Sequence, residues 1–138
     1  MSSDIVYKGY KIRRGLYYTK THEWLKVEET KGRVGITDYA SKKLRDIVYV
    51  EEPEADKEVR RGEVLTTVES VKAVGEVYSP VTGKIVGWNE KLKDRPELVA
   101  EDPYGEGWIV LIEIRDREEL KELLSAEDYV KLIEQEEH

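Results

Sequence analysis

Glu63-Val64-Leu65-Thr66-Thr67-Val68-Glu69-Ser70-Val71-Lys72-Ala73-Val74-Gly75-Glu76-Val77-Tyr78-Ser79 is rich in β-branched residues and is interrupted by a lysine. Val, Thr and Tyr suit a pleated, half-buried strand. The stretch predicts one strand over 63–71 that runs into Lys72 and a second over 73–79 that leaves it. Leu65, Val68 and Val71 are expected to pack on the approach, and Val74, Val77 and Tyr78 on the departure. Lys72 then projects into water near the tip of a hairpin. Composition alone makes it an ordinary solvated turn residue.

The flanking segments have a similar texture. Residues 5–18 mix Ile, Val, Tyr and Leu with Lys and Arg. Trp24–Val27 and Arg33–Ile36 predict a hairpin with its turn around Thr30-Lys31-Gly32. Thr37 is placed to cap a short helix through Leu44, with Asp38 in its first turn. Ile47–Val50 reads as a strand stopped by Pro53, and turns are expected at Arg61-Gly62 and Pro80-Val81-Thr82-Gly83. Pro96–Ala100 suits one helical turn, and Trp108–Ile114 is the most apolar strand. Many short strands at close spacing predict a mainly β barrel or sandwich rather than a parallel α/β sheet.

A chain of 138 residues with 39% hydrophobic content fits one domain with one core. Its longest apolar run, Trp108–Ile112, is far shorter than the roughly 20 residues that span a bilayer. No export or organelle signal shows at the N-terminus, so a cytoplasmic location is expected. The absence of Cys excludes a thiol nucleophile and a disulfide framework. The net charge of −7 argues against binding driven by phosphate neutralisation. That charge is uneven. Residues 116–138 hold nine acids and three bases, so −6 of the −7 sits there. Leu120, Leu123, Leu124, Tyr129, Val130, Leu132 and Ile133 recur at helical spacing, and Ser125 followed by Asp128 marks an N-cap. A pair of acidic surface helices over 117–136, packed on the body, is expected; the alternative reading is a docking face for a basic partner.

Catalytic constellations are nearly absent. The two histidines, His22 and His138, lie far apart in the chain. Gly105-Glu106-Gly107 precedes a strand rather than a helix, so it reads as a turn, not a dinucleotide loop. No metal-ligand spacing appears, and nothing suggests an enzyme with its own active site.

Glu69-Ser70-Val71-Lys72-Ala73 resembles the lipoylation motif of the glycine cleavage system H-protein family. Further blocks follow in the family's order: His22-Glu23-Trp24, Gly35-Ile36-Thr37-Asp38-Tyr39-Ala40, Asp46-Ile47-Val48 with Glu51, and Ser79-Pro80-Val81-Thr82-Gly83. Pro96-Glu97-Leu98-Val99 and Asp102-Pro103-Tyr104-Gly105-Glu106-Gly107-Trp108 complete a resemblance spanning roughly residues 17–133. Arg45 stands where a Gly is usual, Thr66 replaces a common Gly, and Ala100 replaces a common Asn. Residues 1–16 read as an extension ahead of a carrier domain over 17–138.

The resemblance implies a lipoyl/biotinyl-like barrel-sandwich hybrid with short helices, carrying lipoate on Lys72 within its attachment motif of Glu69, Ser70, Val71 and Ala73. Such a chain is a non-catalytic carrier, expected as a monomer. It would take an aminomethyl group from the glycine decarboxylase (P-protein) and present it to the aminomethyltransferase (T-protein). Its dithiol would return to the dihydrolipoyl dehydrogenase (L-protein), and a lipoate ligase or lipoyltransferase would attach the arm. A labile amine on that arm calls for a sheltering groove with an acceptor for ammonium. Glu23, Glu69 and Glu76 are the candidates, with Glu23 preferred because Trp24 beside it suits a groove wall. His22 reads as a hydrogen-bonded structural residue. A lipoate relay to other complexes and an unmodified interaction module are the other classes, while the absence of Met beside Lys72 disfavours a biotin carrier.

Overall fold

The computed structural model describes residues 4–137, so residues 1–3 and the terminal His138 lie outside the described residues. The chain opens with a small hairpin, β1 (Asp4–Tyr7) and β2 (Tyr10–Arg13), followed by β3 (Tyr17–Tyr18). Next come the hairpin β4 (Glu23–Glu28) and β5 (Lys31–Ile36), helix α1 (Asp38–Leu44) and strand β6 (Ile47–Val50). Strands β7 (Glu58–Val59), β8 (Val64–Ser70), β9 (Val74–Tyr78) and β10 (Gly83–Trp88) lead to a 3-10 turn at Glu90–Lys93. Helix α2 (Leu98–Glu101), strand β11 (Val110–Ile114), a 3-10 segment at Arg117–Glu122 and helix α3 (Ala126–Glu136) complete the described chain. The fold is mainly β, as the strand density predicts.

Two sheets face each other. One has six strands in the order β3-β4-β5-β11-β10-β7 and the other three in the order β6-β8-β9. Alternation decides what lies between them. Val110, Ile112 and Ile114 of β11 point inward, as do Leu65 and Val68 of β8 and Val50 of β6. A second buried cluster lies outside the sandwich. Tyr18 and Trp24 of the large sheet meet Tyr39 of α1, Tyr129 and Ile133 of α3, and Ile12 of the N-terminal hairpin. The hairpin is also tied by backbone contacts: the Lys11 amide donates to Asp38 at 2.9 Å, and Lys42 donates to the Gly9 carbonyl at 2.9 Å.

Thr37 caps α1 as expected, its hydroxyl accepting from the Ala40 amide at 3.1 Å. The β4–β5 turn falls earlier than the sequence suggests, at Glu29 and Thr30, and Lys31 and Gly32 already belong to β5. Gly32 is there for clearance: a Cβ would lie 2.4 Å from Leu25 Cδ1. The expected C-terminal pair of α-helices is one α-helix preceded by a 3-10 segment, capped by the Asp116 side chain and burying none of its residues. Helix α3 is an amphipathic surface helix packed on the body, as expected, with Ala126, Tyr129 and Ile133 on its buried stripe and most of its other residues exposed.

Arg45 closes α1 with φ 63° and ψ −149°. That region of backbone space belongs almost wholly to glycine, and a side chain there costs on the order of 1–3 kcal/mol. The Arg45 side chain is exposed and makes no ion pair among the described residues. Arg45→Gly is therefore expected to raise the unfolding free energy by about 1 kcal/mol after the added freedom of the unfolded chain is counted. Urea unfolding should show a higher midpoint with an unchanged slope. A lowered midpoint would contradict the strain.

Candidate functional site

The β8–β9 hairpin carries Lys72 at its tip, and the tip backbone is tightly held. The Ser70 amide donates to the Ala73 carbonyl at 2.8 Å. The Ser70 hydroxyl oxygen accepts from the amides of Ala73 at 3.1 Å and Lys72 at 3.4 Å. Val71 donates its amide to the Asp46 carbonyl at 3.1 Å, which pins the tip to the loop after α1. Among the described residues the Lys72 side chain has no hydrogen bond or ion pair, and it is exposed. A fixed backbone thus presents an unencumbered amine.

Two residues expected to pack beside the tip do not. Leu65, Val68 and Val77 are buried, but Val71 and Val74 are 73% and 63% exposed. The register explains Val74. Tyr49, Glu69 and Val74 form one row across β6, β8 and β9, while Val50, Val68 and Gly75 form the next row on the opposite, inward face. Val71 lies in the turn itself. With Val48 and Tyr49, both more than half exposed, these residues give the surface around Lys72 an apolar character.

Beside β9 lies an open groove of about 310 Å³. Val68, Gly75 and Val77 form one side and Tyr39, Ala40, Lys43 and Leu44 of α1 the other, with Ile36 at the base. Thr21, His22, Glu76 and Glu136 complete its rim. Gly75 keeps α1 close, since a Cβ there would meet Leu44 at 3.3 Å. Gly75 and Val77 are three and five residues beyond Lys72, roughly 10 to 17 Å away along the strand at about 3.4 Å per residue. A chain attached to Lys72 must fold back along β9 to enter the groove.

Glu23 does not line this groove; it is buried beside it and is linked to the rim only through Thr21. Its carboxylate is 1% exposed and accepts from the hydroxyls of Thr19 and Thr21, both at 2.5 Å, and from the Tyr78 amide at 3.2 Å. Burial pushes its pKa above the usual carboxylate value, and the three donors pull it back only in part. Trp24 does not form a groove wall. It is 1% exposed, donates its indole N–H to the Pro103 carbonyl at 3.0 Å, and packs against Gly35, where a Cβ would meet the ring at 2.7 Å. Neighbours on a strand face opposite ways, so Glu23 turned toward Tyr78 of β9 puts Trp24 on the other face, in the cluster with Tyr18 and Tyr129.

Of the other acceptor candidates, Glu69 points outward beside Tyr49 and Val74, and Glu76 lines the groove while accepting from the Tyr78 hydroxyl at 2.8 Å. Glu136 was not singled out in the sequence; no local signal joins it to His22, 114 residues away. His22 is hydrogen-bonded as expected, to the Tyr129 hydroxyl at 2.7 Å and to Glu136 at 3.1 Å.

A family model described as Glycine cleavage H-protein matches residues 16–136. A probable glycine cleavage system H protein of Pyrococcus abyssi is 57% identical over 126 residues, covering 90% of this chain and 93% of that protein. A glycine cleavage system H protein of Aquifex aeolicus is 48% identical over 132 residues, covering 96% of this chain and 77% of that protein. The crystal structure of a glycine cleavage system H protein from Mycobacterium marinum superposes with a TM-score of 0.76 at 35% identity, covering 87% of this chain and 97% of that one.

The position of Glu23 has a measurable consequence. Its folded-state pKa is raised, so the carboxyl contributes stability that is fully present below about pH 4.5 and is lost as pH rises through the folded midpoint. Urea unfolding of the wild type and of Glu23→Gln between pH 4.5 and 8 should diverge, with the wild type losing stability relative to the variant as pH rises. Parallel curves would show that Glu23 does not titrate in the fold.

Proposed function

The chain belongs to the glycine cleavage H-protein family, the lipoyl carrier of the glycine cleavage system, and from this premise we propose that it carries its lipoyl group as an amide on Lys72. The observation that carries the reading is the pairing of a rigid tip with a free amine: every hydrogen bond at the tip is made by backbone or Ser70. Val71 and Ala73 flank the lysine without covering it, and Glu69 stands outward on the approach strand. Among the described residues no helix is long and apolar enough to cross a membrane.

The residues present fit such a group. When bound, lipoate supplies a disulfide-dithiol couple and a sulfur for group transfer, chemistry that no side chain of this Cys-free chain offers. The chain's own part is to hold and shelter. Val68, Val77, Ala40 and Leu44 give the groove apolar sides that exclude water from a short alkyl chain. Glu76 and Glu136 on its rim give it a negative character that suits an ammonium. Thr21 lies between the groove and Glu23 and donates to that carboxylate.

The chain itself then performs no catalysis. Residues 17–138 form the carrier domain and 1–16 an extension to it. A lipoate ligase or lipoyltransferase modifies Lys72, and the glycine decarboxylase, the aminomethyltransferase and the dihydrolipoyl dehydrogenase each receive the tethered arm in turn. Tethering replaces free diffusion of the cargo with a high local concentration at each docked enzyme. The apolar surface of Val48, Tyr49, Val71 and Val74 around the tip gives those enzymes a shared feature to recognise.

Lys72→Arg tests the attachment site, since the side chain is exposed and the substitution leaves the fold intact. Intact-mass analysis after incubation with lipoate ligase, ATP and lipoate should show a lipoyl adduct on the wild type and none on the variant. Glycine cleavage reconstituted with the three enzymes should be lost with it. A lipoyl adduct on Lys72→Arg would move the attachment to another lysine.

A further inference from the structure

We propose that His22 is a positioning residue that holds Glu136, from the C-terminal helix, as the carboxylate receiving a cationic cargo at the mouth of the groove. This rests on the reading of the groove as the shelter of the arm on Lys72.

The hydrogen bonds around His22 have only one consistent direction. Ionised Glu136 can only accept, so the Nε2 of His22 carries the proton and donates to it at 3.1 Å. Neutral His22 then has a bare Nδ1, which accepts from the Tyr129 hydroxyl at 2.7 Å. Tyr129, having donated its proton, accepts from the Thr37 hydroxyl at 2.7 Å. The Thr37 oxygen in turn accepts from the Ala40 amide at the start of α1. A polarised chain therefore runs from the first turn of α1, through α3 and the start of β4, and ends on Glu136. It joins both helices that border the groove.

The neighbouring acid, at the C-cap of α3, shows what is distinctive about this arrangement. Glu137 accepts from Lys43 at 3.1 Å and from the Tyr39 hydroxyl at 2.9 Å, so its charge is neutralised by a cation. Glu136 is held by a neutral ring and keeps its charge, with its side chain 40% exposed on the groove rim. The backbone at His22 is unusual as well. Its φ of 74° lies in the left-handed region, held by the Thr37 amide on its carbonyl at 3.0 Å. A non-glycine residue in that conformation carries strain, which the surrounding contacts sustain. It turns the ring toward Tyr39, with the two centroids 5.0 Å apart, and into the groove wall.

The arrangement makes the groove's charge depend on pH. Burial holds His22 below its ordinary pKa, and Glu136 opposes that shift. Tyr39 from α1 and Tyr129 and Glu136 from α3 face the ring; the other titratable groups nearby are Lys43 and Glu76 in the groove lining, Glu137 at the C-cap of α3, and Glu23 next in the chain. A proton added to Nδ1 points at Tyr129 and reverses the chain, and the new imidazolium neutralises Glu136. The groove then attracts a cation less as pH falls through the His22 midpoint.

Two measurements test this. The chain has only two histidines, so the His22 ring can be followed by nitrogen-15 NMR in the unmodified protein without ambiguity. The ring should show the Nε2–H tautomer with a midpoint below about 6.5, and Glu136→Gln should lower that midpoint further. In the lipoylated protein charged from glycine by the decarboxylase, the spontaneous release of formaldehyde and ammonia is then timed. Glu136→Gln and His22→Asn should speed release roughly twofold to fivefold near neutral pH, the range of a partly exposed charge contact. Wild-type release should quicken below the His22 midpoint, a limb that Glu136→Gln flattens. An Nδ1–H tautomer overturns the proposal, as does a Glu136→Gln variant with unchanged midpoint and release. Failure of Lys72 to accept lipoate would overturn the carrier reading instead, and the NMR result would show that failure to be separate.

Discussion

The buried carboxylate of Glu23 is the contact on which the arrangement of the two sheets turns. It belongs to β4 in the six-stranded sheet, yet it accepts the amide of Tyr78 at the far end of β9, an edge strand of the other sheet. An edge strand leaves alternate amides without a ladder partner, and a buried one costs on the order of 1–3 kcal/mol if unmet. A carboxylate placed there also carries a desolvation cost, which the hydroxyls of Thr19 and Thr21 offset in part. The result is a polar seam between two apolar cores. The groove against α1 borders this seam at Thr21, which both lines the groove and donates to Glu23.

A carrier must combine a fixed tip with a free side chain, and the hairpin meets both demands with few residues. The Ser70 side chain and backbone close the turn, and Asp46 anchors Val71. None of these contacts involves Lys72 beyond its own amide. Exposing Val71 and Val74 leaves hydrophobic surface in water, an arrangement that makes sense if docked enzymes cover it for part of the time.

Much of this was legible in the sequence because it is local. The Thr37 cap, the hairpin about Lys72, the turn at Gly62 and the strand over 110–114 each follow from neighbouring residues and a period of two or 3.6. The Arg45 departure from glycine was visible too, and it marks a real positive φ. What failed to appear was long-range. The buried face of Trp24 depends on the loop that brings the Pro103 carbonyl to its indole, and which surface the apolar stripe of α3 packs against depends on Tyr18 and Ile12 meeting Tyr129 and Ile133. The exposure of Val74 depends on register with Tyr49, across two strand pairings. The groove's carboxylates were half legible: Glu76 sits beside the motif, whereas Glu136 is brought to His22 only by the docking of α3.

The acidic C-terminal segment takes on a different meaning in the fold. Read as sequence, its charge suggested a surface offered to basic partners. Folded, much of that charge is engaged within the molecule. Glu119 accepts from both the amide and the hydroxyl of Thr82, Glu122 pairs with Arg61, Glu127 with Arg14 and Glu137 with Lys43. These contacts are spread along the segment, from the β9–β10 turn through the N-terminal hairpin region to α1. Singly, such exposed pairs contribute little, about 0–1 kcal/mol each. The line along which α3 lies is set by the packing of Ala126, Tyr129 and Ile133 against Ile12, Tyr18 and Tyr39, which brings Glu136 to the groove. The segment therefore contributes Glu136 to the rim of the site, and its unpaired charge is left for docking.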